Sequence, residues 1–311
     1  MRKPWVPGIA QTMLVVLAGL LLGGCGDPVS PSGAAPPAPA TTHQRAAGPS
    51  GTSPGPSPAG SRASVPAPTV LYLGDSLAME NQRVLGQALR TQLHARYTSA
   101  PYSGTTLCDY LEGTADRSLV PAADKAAALV RSVRPDFVVL QFWGNSWGYT
   151  PCMDGITYDK ARGTYFTRLA ADADRLAEQI AAAGGTRRPV IVWVAQGPDP
   201  VTPDRVRRVN GLYARQAKAS GGLVADAGRT VAPASARYTW SQYLPCTAYE
   251  RDHPAYCTRP EQDRTALHRD DDPLHFCLAP TTSKPKPCPV RSPGIERVTR
   301  EITRTIAAHS R

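Results

Sequence analysis

The sequence contains no Cys-x-x-Cys pair and no cluster of His with Cys at metal-ligand spacing, which argues against a structural zinc. No basic run interleaved with aromatics is present, so a nucleic-acid partner is not expected. There is no internal repeat, which excludes solenoid and propeller arrays. The apolar run Met13–Leu22 is too short to span a bilayer comfortably as a mature helix. Large apolar residues are almost missing from 26–68, where Pro, Ala, Gly, Ser and Thr dominate. Such a stretch cannot bury enough surface to offset its ordering entropy and is expected to be a disordered tether. At roughly 40 residues it would reach about 35 Å as a flexible coil and more than ~100 Å if largely polyproline-like.

What is present begins with a basic start, Arg2 and Lys3, before the apolar run and Leu22-Gly23-Gly24-Cys25. Small residues before a cysteine at this place resemble a bacterial lipobox. Residues 1–25 are therefore expected to be a lipoprotein signal peptide, with Cys25 as the lipid-bearing residue that anchors the chain outside the cell membrane. The alternative is an ordinary secretory signal cleaved near Gly24, giving a secreted protein. The formal charge is +10; Arg2, Lys3, Arg45 and Arg62 against Asp27 account for three of it, leaving +7 beyond residue 68. That excess fits a solvated surface or an affinity for anionic wall polymers or headgroups.

Residues 69–311 suffice for one α/β domain, expected to be a monomer. Cys108, Cys152, Cys246, Cys257, Cys277 and Cys288 form an even set, which in an exported protein reads as three disulfides. The sequence does not choose among the possible pairings. Cys108–Cys152, Cys246–Cys257 and Cys277–Cys288 is the expected set, since the last two close short loops.

Buried-strand patterns occur at Thr69–Leu73, Tyr97–Tyr102, Phe137–Phe142, Val190–Val194 and Leu223–Ala225. Helical patterns run from Ser76 to about Tyr97, then over Ala122–Val133, Tyr158–Ala183, Pro203–Ala219 and Pro293–His309. Alternating strands and helices imply a parallel sheet covered on both faces, with ligands beyond the carboxyl ends of the strands. Ser76, Gly104 and Asn145 all fall just after predicted strands.

Two segments carry the chemistry. Gly74-Asp75-Ser76-Leu77 follows the first strand, and Asp272-Pro273-Leu274-His275 lies about two hundred residues later. A serine hydroxyl needs a base to act as a nucleophile, and an imidazole base needs a carboxylate to fix its tautomer. Ser76, His275 and Asp272 supply those parts, with Asp270 or Asp271 as alternative carboxylates. The other histidines fit worse: His43 is in the tether, His94 inside a helix, His309 at the frayed end, and His253 and His268 lack the upstream aspartate spacing. A plainer use of Asp75-Ser76 is to cap the following helix.

Together these segments resemble the SGNH/GDSL hydrolase superfamily, whose marker residues are Ser, Gly, Asn and His. Gly74-Asp75-Ser76-Leu77 matches the first block, Gly104 the second by position, Asn145 the third, and Asp272-x-x-His275 the last. The resemblance extends to SGNH domains of bacterial envelope proteins through Pro245-Cys246 and His275-Phe276-Cys277. The third block usually reads Gly-x-Asn-Asp, whereas this chain has Trp143-Gly144-Asn145-Ser146, so its local turn is expected to differ. The resemblance implies a flavodoxin-like three-layer α/β/α sandwich with a five-stranded parallel sheet. It implies a serine esterase acting on short acyl esters, including acetyl groups of envelope glycans, with no cofactor and no metal. Ser76, Gly104 and Asn145 would form the oxyanion hole. The alternatives are an O-acyltransferase using the same serine and a non-catalytic wall-binding lipoprotein. Trp143, Trp147 and Tyr149 would stack on sugars or fill core. Tyr238–Arg269, with Trp240, Tyr243, Tyr249 and Tyr256, is expected to lie over the pocket and set selectivity.

Overall fold

The computed structural model describes residues 66–310 apart from 146, 281 and 283–285. The expected signal peptide, Cys25 and nearly all of the expected tether lie outside those residues. In chain order the elements are β1 (Thr69–Gly74), α1 (Ser76–Leu93), β2 (Arg96–Ser99), α2 (Ala126–Val133), β3 (Phe137–Gln141), α3 (Arg162–Gly184) and β4 (Val190–Val194). There follow α4 (Pro203–Ser220), β5 (Leu223–Ala225), α5 (Ala227–Thr230), β6 (Tyr243–Pro245), α6 (Ala248–Asp252), β7 (Arg264–Ala266) and α7 (Pro293–His309).

The first five strands form a parallel sheet in the order β2-β1-β3-β4-β5. That is the doubly wound order in which the chain reverses direction beside β1 and opens a crevice at the strands' carboxyl ends. Alternation along the strands divides the core. Leu71, Leu73, Val138, Leu140, Ile191 and Trp193 face α2, α3 and α4. Val70, Tyr72, Val139, Val192 and Val194 face α1 and α7. Both faces are thus covered, giving the three-layer α/β/α sandwich. No helix among the described residues is long and apolar enough to cross a membrane.

Several boundaries differ from the sequence-based expectation. The first helix ends at Leu93, because His94 takes a left-handed conformation (φ 54°) and caps it. The second strand accordingly starts at Arg96. The helix expected from Ala122 starts at Ala126. Lys125 is extended there, with its side chain turned inward, and its ammonium donates to the Asp109 carbonyl and to Ser118 Oγ at 2.6 Å. Tyr158 precedes α3 instead of beginning it, and its ring meets Tyr165 edge-on at 5.8 Å.

The three disulfides are Cys108–Cys152, Cys246–Cys257 and Cys277–Cys288. The first links the loop after β2 to the loop after β3, which are the segments carrying Gly104 and Asn145. The segment Tyr238–Arg269 departs from expectation. It holds the antiparallel pair β6-β7, and of its residues only Arg269 lines either cavity beside Ser76. Its aromatics are engaged elsewhere: Tyr249 stacks on His253 at 4.0 Å, and Trp240 on His268 at 5.5 Å.

Candidate active site

Ser76 is the first residue of α1, at the carboxyl end of β1. The turn that places it requires a close approach of two backbones. A Cβ on Gly74 would lie 2.1 Å from the Gln141 carbonyl oxygen on neighbouring β3, so only glycine fits. Asp75 is buried and caps the helix by accepting from the Leu77 N–H at 3.1 Å. Its other carboxylate oxygen accepts from the Trp143 N–H at 2.6 Å, tying the turn to the loop after β3. Burial pushes the Asp75 carboxyl up to about 6, against the pull of those N–H groups. The capping use of this dipeptide therefore falls to Asp75, and Ser76 keeps its hydroxyl for another partner.

That partner is His275. Its Nε2 lies 2.9 Å from Ser76 Oγ, across 199 residues of chain. On the far side of the ring, Nδ1 lies 3.0 and 3.1 Å from the two oxygens of Asp272, which also accepts from the His275 backbone N–H at 3.2 Å. Asp270 and Asp271 are used otherwise, accepting from Gln242 and Arg269. Burial disfavours charge on the imidazole, but the Asp272 hydrogen bond and the charges of Glu80 and Asp272 outweigh it and raise its pKa above 6.5. Burial likewise opposes ionisation of Asp272, yet its bonds and charge pairing with His275 hold it down at about 2. The two shifts describe one coupled pair in which Asp272 stays charged.

Gly104 sits in the loop after β2 with φ +78°, in the left-handed region that favours glycine. Asn145 is buried, donates from Nδ2 to the Gly104 carbonyl, and accepts from the Trp147 N–H at 3.1 Å. Asp75, Ser76, Gly104, Asn145 and His275 line one cavity of about 230 Å³ together with Trp143, Trp147 and Tyr149. A second, of about 410 Å³, is lined by Ser76, Asp272 and His275 with apolar walls from Met79, Ala279, Pro280 and Pro289.

Sequence reading missed the support of this loop. Arg205 and Asp199 are both fully buried and paired at 2.9 Å. The Arg205 guanidinium donates to the Trp143 carbonyl at 3.0 Å and to that of Gly144, and it stacks 3.6 Å from the Trp143 ring centre. Tyr165 Oη donates to the same Gly144 carbonyl at 2.7 Å. The unusual third block is therefore held from below by a buried cation. Removing one member of such a pair strands the other, so Arg205→Ala is expected to lower unfolding free energy by about 3–5 kcal/mol, measured by denaturant titration. His268 was also passed over. Buried and kept below its ordinary pKa by that burial, it lies with Nδ1 2.9 Å from the His275 carbonyl. Arg205 gave no sequence signal because it lies about sixty residues from the carbonyls it holds, whereas His268 is only seven residues from His275 but carries no motif that marks its contact with that carbonyl.

No protein-family model matches the chain, and no curated protein sequence matches it. Among solved structures it is similar to TesA, with TM-score 0.43 and 15% identity over 77% of this chain and 98% of that one. It is also similar to the psychrotrophic esterase EstA from Pseudoalteromonas sp., with TM-score 0.41 and 14% identity over 78% and 97% of the two chains. A family 3 carbohydrate esterase of Clostridium thermocellum gives TM-score 0.44 and 10% identity over 78% and 96%.

Proposed function

We propose that the protein is a serine esterase of the SGNH/GDSL type, exported and anchored through Cys25, that removes short acyl groups from envelope glycans. The observation that carries this reading is the continuous contact from Ser76 Oγ through the His275 ring to Asp272, at 2.9 and 3.0 Å. With Nδ1–H given to Asp272, Nε2 is free to accept the serine proton. Ser76 Oγ then bonds to the ester carbonyl carbon while its proton passes to His275 Nε2. The carbonyl oxygen becomes an oxyanion facing the N–H groups of Ser76 and Gly104 and the second N–H of the Asn145 amide, whose first is on the Gly104 carbonyl. Collapse breaks the bond to the alcohol oxygen, which takes the proton from His275, and leaves an acyl-serine. Water, losing a proton to His275, attacks the acyl carbon; the acyl–Oγ bond then breaks as His275 returns that proton to Ser76 Oγ, which frees the carboxylic acid and restores the serine and the neutral imidazole.

A sugar as the alcohol half is supported by a row of aromatic rings leading out of the smaller cavity. Trp143 is 5% exposed, Trp147 40% and Tyr149 64%. Trp143 and Trp147 stack at 4.8 Å, and Tyr149 follows at 5.9 Å. Trp143 is closed, with Arg205 on one face and Trp147 on the other, so the outer two rings, Trp147 and Tyr149, offer the apolar faces to sugar units, and filling core would not leave them so exposed.

The test is release of acetate from an O-acetylated oligosaccharide, compared with a small ringless acetate ester. Trp147→Ala keeps the backbone N–H that Asn145 needs. It is expected to raise KM about threefold to tenfold for the oligosaccharide and to leave the small ester nearly unchanged. Equal effects on both substrates would remove the sugar platform. Absence of turnover on either, with a free sugar acceptor present or not, would remove the enzyme reading.

A further inference from the structure

Glu80 follows Ser76 by one helical turn on α1, where residues four apart share a face. Its Oε2 accepts from the backbone N–H groups of Phe276 at 3.1 Å and Cys277 at 3.2 Å, the two residues after His275. Its backbone carbonyl accepts from the Cys288 N–H at 3.2 Å, and Arg83, less than a turn further, donates to the Cys288 carbonyl at 2.9 Å. Cys277 and Cys288 are themselves joined. The helix that begins with Ser76 therefore grips both ends of the disulfide-closed loop that follows His275. Ser76, Glu80, Asp272 and His275 line one cavity.

We propose that Glu80 is a positioning residue for the reaction proposed above: it latches the His275 segment to the Ser76 helix and supplies a negative charge that favours the imidazolium. The role rests on that reading but has a readout independent of turnover. Once His275 has taken the serine proton, its positive charge faces three carboxylates, Asp272 on its own loop, Glu80 on α1 and Asp75 at the cap of α1, with the buried His268 also beside it. The other charged groups around Glu80 are Arg269, which is paired with Asp271, and Lys286 on the same cavity wall. Burial pushes the Glu80 carboxyl up to about 7, against the charge of His275 and the two N–H groups. Its charge is thus complete only above neutrality. As pH falls, protonation of Glu80 and of His275 act in the same direction, the first removing support for the imidazolium and the second removing the base.

Both N–H groups go to a single oxygen of Glu80, so latch and charge can be separated. Glu80→Gln keeps an acceptor oxygen at full reach without the charge, Glu80→Asp keeps the charge at shorter reach, and Glu80→Ala removes both. The experiment follows the His275 ring nitrogens by NMR through a pH titration of the full chain, alongside the pH profile of kcat/KM. Glu80→Gln is expected to move the His275 midpoint down by about half a pH unit or more, and the acid limb of kcat/KM with it. Glu80→Ala, or Glu80→Asp if the alanine variant does not fold, is expected to lose about 10²-fold in kcat through misplacement of the base. A His275 midpoint unchanged in Glu80→Gln would overturn the charge role. Wild-type kcat in the alanine or aspartate variant would overturn the latch. A wild type with no turnover but a shifted midpoint in Glu80→Gln would sink the esterase reading and leave the coupling standing.

Discussion

Ser76→Ala is expected to lower ester turnover by about 10⁶-fold while leaving the fold intact. In a serine–histidine–carboxylate site the three groups act as a unit, so loss of the nucleophile alone abolishes nearly all of their contribution. Stability should hardly change. Ser76 is partly exposed at the first position of α1, the cap is made by Asp75, and among the described residues the side-chain bond lost is the one to His275. Substrate affinity should also persist, because the two cavities keep their walls. Steady-state turnover and thermal melting of wild type and variant, measured side by side, check both halves. A variant that keeps a tenth of wild-type turnover would mean that another group is the nucleophile.

Asp272→Asn is expected to cost about 10⁴-fold in kcat with little change in KM. The amide can occupy the carboxylate's place, but it can offer a donor where His275 Nδ1–H needs an acceptor. The ring then presents the wrong tautomer to Ser76, and the imidazolium loses its nearest counter-charge. The pH dependence separates these effects from simple misfolding. In the wild type the Asp272 bond and the carboxylate charges raise His275 above 6.5 against its burial, so activity rises as pH increases through that raised value. Without the Asp272 charge the histidine titrates lower, and what activity remains should persist to more acidic pH. An acid limb that stays in place would show that Asp272 does not face the working base.

The pattern of strands and helices was readable because each strand buried on both faces is a short apolar run, and each helix carries a stripe at its own period. Val190–Val194, Leu223–Ala225 and Pro293–His309 stand where the sequence puts them. Boundaries failed where a single side chain did something non-local. Lys125 turns inward to satisfy carbonyl and hydroxyl oxygens of the preceding loop, and no window-based pattern contains that information. The site divides in the same way. Ser76 and the Asp272–His275 pair were legible because a nucleophile at a strand-to-helix turn and a carboxylate three residues before a histidine are local patterns. The groups that hold them were not. Glu80 could have been suspected from its spacing to Ser76, since four residues on a helix share a face. Arg205 could not, because nothing near it in sequence tells that Asp199 and the Trp143–Gly144 carbonyls meet it in the interior.

The aromatic-rich segment Tyr238–Arg269 misled for a related reason. Its cysteines and tyrosines look like the parts of a lid, but Tyr249 is sandwiched by His253 and the Arg300 guanidinium, and Trp240 is engaged with His268 and the Pro273 carbonyl. The disulfide-closed segments that do border Ser76 are Cys277–Cys288, which has no aromatic residue, and Cys108–Cys152, which carries Trp143, Trp147 and Tyr149.

The central claim is that Ser76 is an activated nucleophile, and the most direct measurement is mass mapping of the adduct formed with a fluorophosphonate. One adduct on the peptide containing Ser76, lost when His275 is replaced by alanine in a protein that still melts cooperatively, is the predicted result. A folded wild-type protein that takes up no reagent, or takes it up on a different residue, would contradict it.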